Sequence, residues 1–304
     1  MKIVFLIVTL FFLTFFSGPA QAEGYWYQEE DLEIYFRYWP AVCQPRGSLL
    51  LIHGLGGSTF SWHVIAPPLA RAGYEVYAID LPGFGLSPAA DTLDLSRGGY
   101  AAMAADFWQA VEPPAPHFLV GHSMGGGIVT QIAGEEYLEP EGLILLAPAL
   151  QNGGGGSWAR IFGWRPVRQV GGWFMSTFFL SEKRVYSILE SAYGREPSAQ
   201  EFQAYYEPLL REGALATLLK MTADNRRSPA VLPEKIEIRT LLLWGADDAW
   251  VEPPRSGEEF KLFSRYSLKI VPEGGHLIAE THGGQVLDHI LHFLGGTNND
   301  SGEG

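Results

Sequence analysis

The sequence predicts an α/β fold with a mostly parallel sheet, helices on both faces and an inserted helical cap. Short runs of leucine, isoleucine and valine recur along the chain and alternate with segments of helical composition. Strands that are apolar at every position are typical of a parallel sheet that is buried on both faces. The alternation stops near residue 150 and resumes at Ile236, so the segment between them is predicted to be an insertion.

The elements of this sheet can be assigned in order along the chain. Residues 32–38 alternate apolar and charged side chains, which predicts a half-exposed edge strand. Near-continuous apolar runs predict buried strands at 48–52, 75–79, 118–120 and 143–146, and further strands are predicted at 240–243 and 267–271. Helices are predicted near 60–72 and 100–111, directly after residue 123, and at 285–294. In such sheets ligands bind at the carboxyl ends of the strands, where we therefore expect the functional residues.

The predicted cap covers residues 151–233 and is rich in tryptophan, tyrosine and phenylalanine. Most of these aromatic side chains are expected to form the small core of the cap and its contact with the main domain. As a set they should also cover the carboxyl edge of the sheet, so some of them are expected to line an apolar pocket. Four glycines at 153–156 predict a compliant hinge, and a moving lid is a hypothesis that hydrogen exchange can test.

One short motif predicts a nucleophile. Residues 121–125 read Gly-His-Ser-Met-Gly and fit G-x-S-x-G, between a short apolar strand and a glycine-rich helix start. A serine on such a strand-to-helix turn projects its hydroxyl above the sheet edge. A free hydroxyl is a poor nucleophile at neutral pH, so Ser123 needs a general base within hydrogen-bond reach.

Three further segments follow predicted strands and supply the groups that a nucleophilic serine requires. The glycine-rich loop 53–58 follows the strand 48–52 and can turn backbone N–H groups toward a developing oxyanion. Asp247 and Asp248 follow the strand 240–243 and offer a carboxylate. His276 follows two glycines after the strand 267–271 and offers an imidazole.

These segments carry a resemblance to a known superfamily. Residues 80–87 add a fourth match, because they read Asp-Leu-Pro-Gly-Phe-Gly-Leu-Ser and fit D-x-x-G-x-G-x-S after the strand 75–79. With the four segments in this order, residues 32–294 resemble the α/β-hydrolase superfamily, in the branch with a cap inserted in the second half of the sheet. The resemblance implies the fold but not the substrate.

The resemblance implies a role for each candidate residue. Ser123 is the nucleophile, His276 is its general base, and Asp248 is the acid that orients His276. Asp248 lies three residues after the glycine of the family's G-x-x-D pattern, and the neighbouring Asp247 stays open as an alternative. The backbone N–H groups of Leu55 and Met124 are expected to form the oxyanion hole.

Other polar residues near these motifs are interpreted differently. His53 and His122 are interpreted as supporting residues, and Asp80 and Ser87 as turn and capping residues. Trp250 either walls the pocket or only packs. The sequence shows no metal-ligand cluster and no phosphate-binding glycine loop, so neither a metal nor an organic cofactor is expected.

The ends and the charge of the chain bear on its location. Lys2 and the apolar run 3–16 precede an A-x-A sequence at 20–22, which predicts a secretory signal peptide over residues 1–22. The alternative is an uncleaved anchor, for which the apolar run is short. Residues 295–304 predict a disordered tail. The net charge of −13 argues against nucleic acid as a partner, and the single cysteine, Cys43, excludes an internal disulfide.

The reaction expected from the sequence is hydrolysis of carboxylic esters with an apolar acyl group, carried out by an exported serine hydrolase. The partner is then a small-molecule ester, with no stable membrane insertion after signal cleavage. C–C bond hydrolysis, peroxidase-like chemistry, aminopeptidase, lyase or acyltransferase activity stay open as alternatives within the same fold. A non-catalytic binding member of the fold is the other class, although its usual mark is the loss of a triad residue. The oligomeric state cannot be read from the sequence.

Overall fold

The computed structural model describes residues 22–89, 92–150, 181–227, 236–254 and 260–296. Three predictions from the sequence lie wholly or largely outside these ranges. They are the signal peptide at 1–22, the glycine hinge at 153–156 and the tail at 295–304. The predicted cap, residues 151–233, is described over 181–227.

Within the described residues, one sheet of eight strands forms the centre of the fold. Its spatial order is β1-β2-β4-β3-β5-β6-β7-β8. The strands are β1 (Glu23–Glu29), β2 (Leu32–Trp39), β3 (Ser48–Ile52), β4 (Glu75–Ile79), β5 (His117–His122), β6 (Gly142–Leu146), β7 (Thr240–Gly245) and β8 (Tyr266–Val271). Strands β3 to β8 are parallel to one another, whereas β2 pairs antiparallel with both β1 and β4. The predicted mostly parallel α/β sheet is confirmed.

The predicted edge strand is wrong in one respect, because β2 is not the edge. Strand β1 pairs along its whole length with β2, from Glu23 opposite Tyr38 to Glu29 opposite Leu32. A two-residue hairpin loop joins the two strands, with Glu30 at a positive φ of 49°. The sequence of β1 has aromatic residues at three successive positions, so it lacks the alternation that identified β2.

The helices lie on both faces of the sheet, as predicted. Those of the main domain are α1 (Ala66–Arg71), α2 (Arg97–Val111), α3 (Met124–Gly134), α7 (Ile278–Thr281) and α8 (Gly283–Gly295). The helix predicted at 60–72 is split into a 3-10 turn (Thr59–Trp62) and α1. Pro67 and Pro68 explain the break, because proline is tolerated only in the first turn of a helix.

The strand residues divide by alternation between two hydrophobic layers. Leu50 and Ile52 pack with α2 and α3 on one face, and Leu49 and Leu51 pack with α1 and α8 on the other. All four side chains are fully buried. Both faces of the central strands are therefore covered, which explains why their sequences are apolar at every position.

Three more helices lie between β6 and β7, where the sequence predicted the cap. They are α4 (Glu182–Tyr193), α5 (Ala199–Leu209) and α6 (Ala214–Arg227). Helices α4 and α5 share a small core with Leu277 of the main domain. The helix residues of this core are Val185, Leu189, Ala192, Tyr193 and Tyr205. In the part of the chain that the structure describes, no helix has the length and apolarity to cross a membrane.

Candidate active site

Ser123 occupies a strained turn between β5 and α3. Its backbone has a φ of 51° and a ψ of −114°, a conformation that non-glycine residues rarely adopt. Such a residue costs about 1–3 kcal/mol and persists only where the surroundings hold it in place. Here the Ser123 N–H donates to the Leu146 carbonyl at 2.9 Å, and the Ser123 carbonyl accepts from the Ala149 N–H at 2.8 Å. The turn is therefore fixed by the end of β6 and by the loop that follows this strand.

Close backbone packing sets where this turn lies. A Cβ atom at Gly125 would be 2.1 Å from the Ile52 carbonyl oxygen, so only glycine permits the contact between α3 and the end of β3. This contact brings Ser123 next to the loop that follows β3. That loop contains Leu55, the residue predicted to supply an oxyanion donor.

Asp248 and His276 meet in a buried hydrogen-bonded pair. His276 Nδ1 lies 2.8 Å from Asp248 Oδ2. The other carboxylate oxygen, Oδ1, accepts from the backbone N–H groups of Trp250 at 2.8 Å and Val251 at 3.0 Å. Asp248 is only 3% exposed, so it has exchanged water for these three donors.

The geometry separates the two aspartates that the sequence left open. The Asp247 side chain is exposed, and its backbone N–H donates to the Gly274 carbonyl at 2.9 Å. Of these two aspartates, only Asp248 contacts the imidazole of His276. The family spacing and the structure therefore agree on Asp248 as the partner of His276.

The hydrogen bonds to Asp248 favour its ionised form. Burial raises the pKa of this carboxyl group, but the hydrogen bonds from His276 and from the two backbone N–H groups outweigh it. The net pKa lies below the ordinary value for aspartate. A carboxylate at this position fixes the proton of His276 on Nδ1 and leaves Nε2 as the atom available to a substrate or nucleophile.

A second close backbone contact joins the acid and base loops. A Cβ atom at Gly245 would be 2.2 Å from the Gly275 carbonyl oxygen and 2.3 Å from that of Gly274. The end of β7 and the loop after β8 thus touch through their main chains. The backbone contact therefore holds the Asp248 and His276 loops together independently of the hydrogen bond between their side chains.

His122 and His53 are buried beside the site and form hydrogen bonds with its backbone. His122 Nε2 lies 2.9 Å from the His276 carbonyl oxygen, and burial lowers the pKa of His122 to about 3. His53 Nδ1 contacts the Gly54 carbonyl at 2.7 Å, and its Nε2 accepts from the Leu81 N–H at 3.1 Å. Burial lowers the pKa of His53 to about 4. Both rings are therefore neutral at neutral pH and act as hydrogen-bonding links, in keeping with their interpretation as supporting residues.

The remaining predicted groups are free to meet a substrate. Among the described residues, the backbone N–H groups of Leu55 and Met124 donate to no protein acceptor. Ser123 Oγ likewise has no hydrogen-bond partner within the described ranges. A hydrogen bond between a catalytic serine and its base is often long until substrate enters. Over the same ranges, no group of three histidine, cysteine or acidic side chains is arranged to hold a metal ion.

A family model for the alpha/beta hydrolase family matches residues 49–289 of this chain, which span the strained serine and the buried acid–base pair. The chain belongs to the alpha/beta hydrolase family. Among solved structures, this hydrolase is similar to a membrane phospholipase A described as a novel bacterial virulence factor. That similarity has a TM-score of 0.75 and 26% identity, and it covers 92% of this chain and 88% of the other. A putative lipase from Acinetobacter baumannii is similar in fold, with a TM-score of 0.74 and 22% identity over 90% of this chain and 91% of that one.

Curated relatives add three matches to this hydrolase. A dihydrolipoyllysine-residue acetyltransferase component of the acetoin cleaving system from Pseudomonas putida is 26% identical, over 91% of this chain and 72% of that protein. A monoacylglycerol lipase from Mycolicibacterium smegmatis is 30% identical, over 39% of this chain and 44% of the lipase. A pimeloyl-[acyl-carrier protein] methyl ester esterase from Aeromonas hydrophila is 41% identical, over 28% of this chain and 31% of the esterase. The matches to the lipase and the esterase thus span less than half of those enzymes.

Sequence reasoning missed how far α4 contributes to the site of this hydrolase. The last turn of α4 presents its Ala192 carbonyl to the His276 N–H at 2.9 Å. Trp250 stacks on the His276 ring, with 5.6 Å between ring centroids and 14° between planes. Its Nε1 donates to Ser191 Oγ of α4 at 3.3 Å. No motif marks these residues, so the sequence held no signal for them beyond the position of Trp250 just after the acid.

Asp80 has the structural role that the sequence predicted. It is buried, and its carboxylate accepts from the backbone N–H groups of Thr59 at 2.6 Å and Leu86 at 2.7 Å. Ser87 donates through its hydroxyl to the Asp80 carbonyl at 2.6 Å. The turn 80–87 is thereby tied to the 3-10 turn that follows the glycine-rich loop 53–58.

The contact between the acid and base loops gives a direct test of this geometry. We expect Gly245→Ala to lower the free energy of unfolding by about 1–3 kcal/mol, because the added methyl group overlaps two carbonyl oxygens. Gly284→Ala is the matched control, since no atom lies within 4 Å of its Cβ position at the start of α8. The control should be neutral or stabilising by about 0.5–1 kcal/mol. Equal unfolding free energies for the two variants in urea titrations would contradict the packing described here.

Proposed function

We propose that this chain is a serine hydrolase that cleaves carboxylic esters with apolar acyl groups through an acyl-enzyme intermediate. The observation that carries the proposal is the buried Asp248–His276 pair, joined through His122 to the strained turn that carries Ser123. A nucleophile on a strained turn, a base and an oriented carboxylate are the parts that acyl transfer requires.

In the first half of the proposed reaction, Ser123 Oγ attacks the acyl carbonyl carbon while His276 Nε2 takes the hydroxyl proton. The carbonyl oxygen becomes an oxyanion that accepts hydrogen bonds from the N–H groups of Leu55 and Met124. The intermediate then collapses, the bond to the alcohol oxygen breaks, and His276 gives its proton to the departing alcohol. Asp248 remains ionised and stabilises the imidazolium that forms in between.

In the second half, water attacks the acyl group on Ser123 and His276 takes a proton from that water. A second oxyanion forms against the same two N–H groups. Its collapse releases the carboxylic acid and returns the proton to Ser123 Oγ. The enzyme therefore ends each turnover in its starting protonation state, with one ester bond exchanged for an acid and an alcohol.

Two observations support an ester with an apolar acyl group. The relatives include a monoacylglycerol lipase, a methyl ester esterase and a phospholipase A. Partly buried apolar side chains also pack against the small core that α4 and α5 share with Leu277, the residue next to His276; they are Phe60, Phe202, Tyr206, Leu209 and Trp250. Such surfaces are typical of sites that bind apolar groups.

Acyl transfer to an acceptor other than water is a second candidate. The match to the Pseudomonas acetyltransferase component, which covers 91% of this chain, favours it. The same acyl-enzyme would form in both cases, and only the second nucleophile would differ. Mass spectrometry of the products with added alcohols or thiols separates free acid from a transferred acyl group.

The first test is hydrolysis of p-nitrophenyl esters from acetyl to palmitoyl. We expect measurable turnover, with an optimum at a chain length set by the apolar site. Ser123→Ala should reduce kcat by about 10⁴-fold or more, because the nucleophile is lost. Wild-type turnover by Ser123→Ala would overturn the serine mechanism, and the absence of turnover on every ester would overturn the ester substrate.

The second test compares the two adjacent aspartates. Asp248→Asn should lower kcat roughly 10³- to 10⁴-fold. The asparagine oxygen would keep the N–H groups of Trp250 and Val251, so its NH₂ would face His276 Nδ1. The imidazole proton would then move to Nε2, which could no longer accept the proton of Ser123. Asp247→Asn is the control and should stay within about twofold of wild type because Asp247 is exposed; the reverse pattern would exclude Asp248 as the orienting acid.

We further propose that the protein is exported and that residues 1–22 are removed as a signal peptide. The support is the basic, apolar and A-x-A pattern of that segment. Protein recovered from outside the cytoplasm of a bacterial host should begin at Glu23 by N-terminal sequencing. An Ala22→Arg variant should be cut poorly, since small residues are required at the cleavage site. An intact Met1 on exported protein would overturn cleavage.

A further inference from the structure

A buried carboxyl group lies four residues beyond His276 and is outside the proposed reaction. Glu280 of α7 is 8% exposed, and both of its carboxyl oxygens contact tyrosine hydroxyls. Tyr193 at the end of α4 donates to Oε2 at 2.6 Å, and Tyr205 of α5 contacts Oε1. The Tyr205 hydroxyl also lies 3.1 Å from Ser61 Oγ, in the 3-10 turn that follows the oxyanion loop. One carboxyl group therefore connects four separate elements around the site.

Backbone hydrogen bonds join the same elements a second time. The N–H groups of His276 and Leu277 both donate to the Ala192 carbonyl, at 2.9 and 3.3 Å. Ala192 precedes Tyr193 in α4, and the Glu280 N–H donates to the Leu277 carbonyl at 3.0 Å. The end of α4 is thus held to the His276 loop by its main chain on one side and by the Tyr193–Glu280 contact on the other.

A buried carboxyl group is an unfavourable choice if the cluster serves only to fill space. A carboxyl group removed from water is unfavourable unless it is hydrogen-bonded, and an apolar side chain of similar size would avoid that cost. Arg195, a cation that acts on Glu280 electrostatically, is paired with Glu201 at 2.7 Å and lies over the Tyr193 ring rather than on Glu280. Unlike an apolar side chain, Glu280 forms directional contacts, because its two oxygens fix the positions of the Tyr193 and Tyr205 hydroxyl groups on α4 and α5.

We propose that Glu280 is a positioning residue for His276. Its contacts with Tyr193 and Tyr205 fix α4 and α5, and α4 in turn fixes the backbone of His276 through Ala192. This inference rests on the proposed function, in which His276 is the general base. It does not require Glu280 to contact the substrate or the reacting atoms.

The cluster can keep its hydrogen bonds whether or not Glu280 carries a proton. A protonated carboxyl group would donate a hydrogen bond to the Tyr205 hydroxyl oxygen. The Tyr205 hydroxyl would then donate its own hydrogen bond to Ser61 Oγ. Glutamine presents the same arrangement of one acceptor and one donor as the protonated acid. Glu280→Gln is therefore the conservative variant, and Glu280→Leu is the variant that removes every polar contact while keeping an apolar volume.

The test measures kcat and KM on p-nitrophenyl acetate, a short ester with little contact beyond the reacting carbonyl. Glu280→Leu should lower kcat about tenfold or more with a smaller change in KM, because a misplaced base slows proton transfer more than binding. Glu280→Gln should stay within about twofold of wild type. Tyr193→Phe should lower kcat in the wild-type background but not in Glu280→Leu, because both changes break the same contact.

Hydrogen–deuterium exchange gives a readout that needs no substrate. Peptides covering α4 and α5 should exchange faster in Glu280→Leu than in wild type, while peptides covering β5 and β6 should not change. Wild-type kcat in Glu280→Leu, or a loss of kcat in Glu280→Gln as large as that in Glu280→Leu, would overturn the positioning role. If the wild-type protein hydrolyses no ester, the proposed function fails on its own. Unchanged exchange in Glu280→Leu would separately contradict the role of Glu280 in fixing α4 and α5.

The pH dependence supplies a further check on the same cluster. The titratable groups that face Glu280 are Tyr193 and Tyr205, with the Glu201–Arg195 pair beyond them. Burial raises the pKa of Glu280 from 4.5 to about 8, against the lowering effect of the two tyrosine hydrogen bonds. The folded state therefore holds an extra proton between these values, and its stability should fall as pH rises from about 5 to 8. Relative to Glu280→Gln, which cannot titrate, the wild-type Tm should decline across this window; parallel Tm curves would contradict the burial of an ionisable group here.

Discussion

The geometry of the site depends on direct backbone contact at the carboxyl edge of the sheet. Gly125 lets α3 approach the Ile52 carbonyl, and Gly245 lets β7 approach the loop that leads to His276. Protein interiors are packed too densely to absorb an extra methyl group at such points without displacement. The relative positions of Ser123, Asp248 and His276 therefore follow from how strands β3, β5, β7 and β8 end. Because the backbone already brings these residues close together, their side chains have little freedom to move. The proposed acyl transfer requires such fixed positions, since a small misplacement of the reacting groups slows it strongly.

The helices between β6 and β7 belong to this framework and do more than cover it. At one end, α4 accepts the backbone N–H groups of His276 and Leu277. At the other end, α6 meets the start of α2, where Asp224 and Asn225 accept the N–H groups of Leu95 and Arg97 at 3.1 and 3.0 Å. The Asp224 carboxylate is a charged acceptor, and hydrogen bonds to such acceptors are roughly twice as strong as neutral ones. Both ends are therefore held by hydrogen bonds as well as by apolar contact. A displacement of α4 would consequently move His276.

Much of this arrangement was predictable because it is local in sequence. Most of the strands are short apolar runs, and each candidate residue lies in the turn or loop after a strand, so a parallel sheet places Ser123, Asp248 and His276 at one edge. What could not be predicted rests on distant contacts. Tyr193 and Tyr205 lie 87 and 75 positions from Glu280, and neither periodicity nor a motif connects them. Strand β1 was missed for a related reason, since its aromatic sequence gains meaning only from pairing with β2.

The two buried carboxyl groups near His276 are tuned in opposite directions. Asp248 receives two backbone N–H groups and the imidazole, which hold its pKa below the ordinary value. Glu280 receives only hydroxyl groups, and its pKa is raised to about 8. At neutral pH, therefore, one carboxylate and one neutral acid lie on the polypeptide segments that frame the imidazole. Because burial favours the neutral form of Glu280, its two oxygens can fix Tyr193 and Tyr205 without adding a second carboxylate charge near the Asp248–His276 pair.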